Sequence, residues 1–278
     1  MSNSDYSYVI NKLKDFFTEY GFLEVEAQSN QSILSACENP KSVMTYQLDG
    51  NVWPLKQTNQ MELEKVLLTN KKLEKIFCVT TSYRDEMLDE MEENRHLKIF
   101  PMFEFESLGD FGKLIELEKD LLVYLGLAEN KNQITELGYV EAVKKYSTNI
   151  IDSKTEEKMQ KQYGNNIILT NFPRYSDPFW NMKQSKNSDN IFKKADVILF
   201  GMETIGSAER SCQPTEMIDN FYSLCKGQYA QLLFNKFGKE RVLKELDDFC
   251  ELEMVERFGG GIGISRLIRA MKLKGLIN

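Results

Sequence analysis

Three stretches of this 278-residue chain gather side chains able to bind and polarise an anionic substrate. The first is Gly259-Gly260-Gly261-Ile262-Gly263, followed by Arg266. A strand running through glycines into a helix would present backbone N–H groups and a positive helix end to an anion. An arginine in the first turn of that helix could grip a phosphate through two bonds. The bland alternative is a tight turn whose glycines serve packing alone. No Walker pattern occurs, and too few residues follow Gly263 for the second strand and acidic residue of a Rossmann unit.

The second stretch holds Tyr83-Arg84-Asp85-Glu86, then Asn94-Arg95-His96-Leu97, then Phe100-Pro101-Met102-Phe103-Glu104-Phe105-Glu106. Alternate residues of a strand share a face, so Arg84 pairs with Glu86, and Glu104 with Glu106. An arginine beside a carboxylate can hold a phosphate and an exocyclic amine together, and Phe100 offers a ring for base stacking. A solvated, salt-bridged hairpin is the alternative. The third stretch runs from Gly201 to Arg210, directly after the apolar residues 197–200. Its carboxylates and a hydroxyl at a strand end could hold a magnesium ion that bridges phosphates. A strand-to-helix turn with surface charges would look the same.

The elements that would position these groups follow from periodicity. Ser4 or Asp5 can cap a first helix whose apolar face is Val9, Ile10, Leu13, Phe16 and Phe17, stopped by Gly21. A short strand is predicted at 22–26, a hairpin over 43–57 around Asp49-Gly50, and a helix at 61–68. Strands are predicted at 76–83 and 99–108, joined by a charged segment. A helix at 114–125 precedes strands at 167–170, 179–183 and 195–200. The stretch 184–190 reads as a surface loop. A single helix is predicted over 216–237, then a strand at 252–257, then the glycines and a basic terminal helix. This order indicates an α+β fold, not strict βαβ alternation.

The net charge is −7, so phosphate groups would be met by locally placed arginines and not by a global field. The five cysteines are scattered without a CxxC pair, as expected for reduced thiols, and His96 is the sole histidine. No apolar run reaches membrane-spanning length and no signal peptide is evident, so a cytoplasmic protein without a membrane partner is expected.

Taken in order, the stretches resemble the signature motifs of class II aminoacyl-tRNA synthetases: Arg84 to Phe100 the second motif, Gly261 to Arg266 the third, and the first helix with Gly21-Phe22-Leu23-Glu24-Val25 the first. Gln57-Thr58-Asn59-Gln60, Arg95-His96-Leu97, Pro178-Phe179-Trp180-Asn181-Met182 and Glu203 to Arg210 are similar to the asparaginyl/aspartyl branch. The glycine run also resembles the terminal motif of ammonia-dependent asparagine synthetase. The resemblance implies a largely antiparallel six- to seven-stranded sheet flanked by helices, working as a homodimer. It implies one catalytic domain over residues 1–278, with no anticodon-binding domain.

It further implies ATP and Mg2+. Arg84 would hold the α-phosphate, Glu86 the adenine amino group, and Phe100 would stack on the base. Arg266 would hold the γ-phosphate with Arg95 or His96. Glu203 and Ser207, with Glu104 or Glu106 nearby, would hold the metal. Gln60 and Arg210 would contact the amino acid. The chain departs from the pattern at four places: Ala27 and Gln28 stand near an expected proline, Ile99 replaces a glutamate, Ala208 a serine, and Leu63 the lysine of an aspartate-specific enzyme. The expected function is an adenylate-forming ligase, a free-standing paralogue making an amide such as asparagine with ammonia as acceptor. The alternatives are a minimal aminoacyl-tRNA ligase with tRNA as acceptor, and a non-catalytic regulatory protein.

Overall fold

Val9, Ile10, Leu13, Phe16 and Phe17 form one buried stripe on α1 (Asn3–Glu19), which Ser2 caps by accepting the Asp5 N–H. The computed structural model that shows this describes residues 1–27, 31–34, 41–85, 97–176, 178–185 and 188–278. Under that stripe lies a sheet of nine strands among the described residues. Its path runs β1 (Leu23–Glu24), β4 (Lys75–Tyr83), β5 (Ile99–Leu108), β11 (Arg257–Gly263), β10 (Met202–Glu209), β9 (Ser188–Leu199), β7 (Asn166–Pro173) and β6 (Thr135–Gly138), with β8 (Gln184–Ser185) added to β9. The pairs β1–β4 and β6–β7 are parallel and the rest antiparallel. The sheet is therefore mixed and larger than the six or seven strands expected, because the parallel pair β6–β7 extends it beyond β9.

The predicted hairpin forms a separate ribbon of β2 (Thr45–Leu48) and β3 (Asn51–Pro54), turning through Asp49 and Gly50 at positive φ. One face of the main sheet packs Phe77, Phe103, Phe105, Val197, Ile205 and Ile262 against α1, α3 (Phe111–Tyr124) and α9 (Ile264–Lys274). The other face carries α2 (Gln60–Thr69), α4 (Tyr139–Tyr146) and α5 (Ser153–Tyr163). A second core, centred on Trp180, is covered by α6 (Pro214–Ser223), α7 (Gln228–Phe237) and α8 (Lys239–Cys250).

Four local expectations are corrected. The helix over 216–237 breaks after α6, because Cys225, Lys226 and Gly227 all adopt positive φ. Residues 179–183 form no strand; only Met182 bridges to Arg210, while Phe179 and Trp180 anchor the second core. Within 184–190, β8 and the start of β9 replace a loop. The last strand is shifted forward, from 252–257 to Arg257–Gly263, so the glycines are sheet residues.

Beneath the sheet, α3 places Glu118 fully buried, with Oε1 2.6 Å from the Ser207 hydroxyl. Burial pushes this carboxyl up to about 8 against the pull of that hydrogen bond, and the nearby Asp196 adds to the rise. Below its ordinary value near 4.5 the acid is protonated both folded and unfolded. Between there and about 8 only the folded chain keeps the proton, so its contribution to stability is lost as pH rises through the folded value. Glu118→Gln is therefore expected to flatten the dependence of the urea midpoint on pH between about 5 and 8. Parallel profiles for the two proteins would refute a neutral Glu118.

Candidate active site

The cleft lies on the α2 face of the sheet, and its floor exists because of glycine. Gly259, Gly261 and Gly263 alternate toward it from β11, opposite Glu106, Glu104 and Met102 of β5. A Cβ on Gly259 would stand 1.7 Å from Glu106 Oε2, and one on Gly261 would stand 2.6 Å from the Met102 methyl. The glycine N–H and C=O groups lie in the ladders with β5 and β10, so they do not form the anion cradle expected of them. What the run supplies is depth. The resulting cavity of about 290 Å³ is lined by Gln60, Arg84, Phe100, Glu203, Arg210 and Arg266, among others.

At one end, Arg84 lies where β4 leaves the sheet, its backbone N–H donating to Lys98 C=O across the hairpin at 2.7 Å. Its guanidinium sits 5.2 Å from the centre of the Phe100 ring, and Nε donates to Ser82 Oγ at 3.3 Å. A cation and an aromatic face therefore occur together, as a nucleotide site needs. Glu86, Arg95 and His96 lie outside the described residues.

At the deep end, Arg210 and Gln60 meet. Arg210 Nη2 donates to Gln60 Oε1, and Gln60 Nε2 donates to Gly260 C=O at 2.8 Å. Arg210 also reaches Glu106 at 3.2 Å and Glu64 at 3.4 Å. Glu64 in turn accepts from Arg257 at 2.7 Å and from Asn181 at 2.6 Å. All four charged groups are almost wholly buried. Burial pushes Glu106 up, as does Glu64, while Arg210 and Arg257 pull it back down. Glu104 is committed elsewhere: it accepts from Thr58 Oγ1 and from Asn59 N–H at 2.9 Å, at the positive end of α2. Neither Glu104 nor Glu106 is therefore placed as a metal ligand.

The third stretch divides in an unexpected way. Strict alternation would put Glu203 and Ser207 on one face. A bulge between Glu203 and Ile205 shifts the register, pairing Glu203 with Ile198 and Gly206 with Asp196. Glu203, Gly206, Ala208 and Asp196 consequently share the cleft face. Ser207, paired with Gly260 and Ala195, turns its hydroxyl to Glu118 on the opposite face. On that geometry the Ser207 hydroxyl is committed to Glu118 and is not placed as a metal ligand. Glu203 lies beside Arg266, whose Nη1 donates to the Glu203 C=O at 2.8 Å and stands 3.9 Å from its carboxylate.

Asp196 is a residue the motifs missed. It is 8% exposed, Lys194 donates to its Oδ2 at 2.8 Å, and Oδ1 has no hydrogen-bond partner. A carboxylate inside the apolar run 195–200 was the available signal. Among the described residues, no three side chains of metal-ligating type already converge on one point. A pair of carboxylates, one with a buried oxygen unpartnered, nevertheless suits magnesium, which takes one or two carboxylates together with substrate phosphates.

Among the described residues, no helix is long and apolar enough to cross a membrane. The family model for class II tRNA synthetases (D, K and N) matches residues 5–277. No curated protein sequence matches the chain. Among solved structures, asparaginyl-tRNA synthetase from Pyrococcus horikoshii, complexed with asparaginyl-adenylate, superposes with a TM-score of 0.77 at 17% identity. That superposition covers 96% of this chain and 64% of the other. Asparaginyl-tRNA synthetase from Entamoeba histolytica, also with asparaginyl-adenylate, gives 0.74 at 18% identity, over 98% of this chain and 63% of that one. Aspartyl-tRNA synthetase from the same organism gives 0.68 at 16%, over 96% and 54%. The chain thus spans less than two thirds of each of these structures' length.

Proposed function

The chain belongs to the class II tRNA synthetases of the D, K and N type, and we propose that it activates an amino acid with ATP by forming an aminoacyl-adenylate. The observation that carries this reading is the cleft that Arg84, Phe100, Glu203, Gln60, Arg210 and Arg266 line together. A carboxylate oxygen of the amino acid attacks the α-phosphorus of ATP. A new O–P bond forms, the bond to the bridging oxygen breaks, and pyrophosphate leaves. Arg84 stabilises the charge gathering on the α-phosphoryl oxygens and Arg266 that on the far phosphate; fixed cations do this best where the site is already organised. Magnesium held by Glu203 and Asp196 would supply further charge neutralisation at the phosphates. No protein nucleophile is needed.

The amino acid follows from the charges around Arg210. Among the described residues, Glu106 and Glu64 offset Arg210 and Arg257, so these four groups offer no surplus positive charge to a substrate carboxylate. Leu63, fully buried on α2, adds none. A neutral amide side chain, such as asparagine's, fits this balance better than aspartate's carboxylate. The amide-forming reading, in which aspartate is the substrate, accordingly ranks below activation of asparagine, with a ribose hydroxyl of tRNA or a smaller nucleophile as acceptor.

Amino-acid-dependent ATP–pyrophosphate exchange without RNA tests both statements. Asparagine is expected to drive exchange, and aspartate to drive it at least tenfold less well. Exchange driven by aspartate alone would reverse the charge argument and restore amide synthesis. No exchange with any standard amino acid would sink the adenylate reading.

A further inference from the structure

Arg84 stands at a junction. Its strand, β4, belongs to the main sheet, but on leaving that sheet it meets the base of the separate β2–β3 ribbon. Tyr83 N–H donates to Lys56 C=O at 3.1 Å, Arg84 bridges to Val43, and Asp85 N–H donates to Ser42 C=O at 2.7 Å. Lys56 and Val43 extend the ribbon's two strands, and between them Leu55 N–H donates to Met44 C=O at 2.8 Å. The backbone of Arg84 is thus set partly by where the ribbon lies.

A two-stranded ribbon has little stability of its own, so its place must be fixed from outside. The second core supplies the support: Val43 is buried in it and Val52 packs against it. Apolar packing alone has no direction. Two polar clamps give it one. From α8, the Arg241 guanidinium lies 4.2 Å from the centre of the Trp53 ring, and its Nη2 donates to Val52 C=O at 2.6 Å. Tryptophan is the ring that holds a cation best. From α7, Lys236 Nζ donates to Val43 C=O at 3.3 Å. One clamp grips β3, and the other grips the residue that bridges to Arg84. Among the described residues, α7 and α8 put none into the lining of the cleft.

Resting on the function proposed above, we propose that Arg241 and Lys236 are positioning residues for Arg84. Acting through the ribbon, they hold Arg84 where the α-phosphate of ATP would lie, without touching the substrate.

A double-mutant cycle on the full chain tests this, read by asparagine-driven pyrophosphate exchange and by affinity for a non-hydrolysable ATP analogue. Arg241→Ala is expected to lower the kcat of exchange about tenfold, because a small misplacement caused far from the chemistry is enough. The KM for asparagine, bound at the Arg210 end, should stay within about twofold. In an Arg84→Ala background the same substitution should change exchange by less than about twofold, because the group it positions is gone. Loss by the same factor in both backgrounds would mark the clamp as merely structural and overturn the proposal, as would an unchanged kcat in Arg241→Ala. Circular dichroism melting identifies the folded variants; if Arg241→Ala does not fold, Lys236→Met takes its place in the same cycle. If the unsubstituted chain binds the analogue but catalyses no exchange, the adenylate reading falls and the cycle is read on affinity alone. Arg241→Ala is then expected to weaken the analogue about threefold, and only while Arg84 is present. If the unsubstituted chain binds no analogue, Arg84 has no phosphate to hold and the proposal falls with the site.

Discussion

Arg84→Ala is expected to lower amino-acid-dependent pyrophosphate exchange by about 10²–10³-fold, the loss seen when one preorganised transition-state donor is removed, worth about 3–4 kcal/mol. The fold should survive. Arg84 is half-buried at the end of β4, and its contacts with Phe100 and Ser82 are of the kind that contribute little to global stability. A deficit in kcat with an unshifted melting temperature would place the arginine at the reacting phosphate. Exchange at the parent rate would show that the second motif is misassigned. Arg84→Lys should recover only part of the rate, because a lysine is a point charge without the planar fork that meets two phosphate oxygens.

Arg257→Met is expected to act on the fold. Its guanidinium holds Glu64 at 2.7 Å and donates to the carbonyls of Ser211 and Val255 at 3.3 and 3.2 Å, with no exposure to solvent. Removing it leaves Glu64 and Glu106 sharing Arg210 alone, a buried charge without its offset. Breaking a buried pair this way costs about 3–5 kcal/mol. Urea denaturation would show this as a lower midpoint. Adding Glu64→Gln restores neutrality and should return part of the loss, although Asn181 and Arg210 also use Glu64. A single variant within about 1 kcal/mol of the parent would mean that Arg257 contributes nothing net, as some buried pairs do.

How much of this was legible follows from the reach of each signal. Periodicity and turn chemistry are local, so α1, the Asp49-Gly50 hairpin and the β4–β5 pair stood in the sequence nearly as they fold. The gathering of Arg84, Phe100, Glu203, Arg210 and Arg266 was legible through family resemblance. What failed was register. One extra residue at the Glu203 bulge reverses the parity of everything after it, and so separates Glu203 from Ser207. Nothing local announces such a bulge. The glycine run was read as the passage from a strand into a helix because glycine disfavours strands; its place in the sheet is set by β5 and β10 on either side. Glu64 and Arg257 are 193 residues apart, so their pairing was beyond any local pattern. The α6–α7 break depends on Cys225 and Lys226 accepting a left-handed backbone, which their residue types do not advertise.

The glycine strand β11 also sets the order in which the molecule can be assembled. It is the last strand in the chain, yet it lies between β5 and β10. A ribosome releases β5 and β10 long before β11, and until then the two have no strand to join them. The nascent sheet therefore exists as two separate ladders with unsatisfied edges, and Glu64 waits without Arg257. The cleft floor can then close only once β11 joins both halves together. Such long-range closure is slow and leaves exposed edges open to wrong partners. A chaperone that shields strand edges would accordingly be expected to raise the yield of folded protein more than one that only prevents collapse.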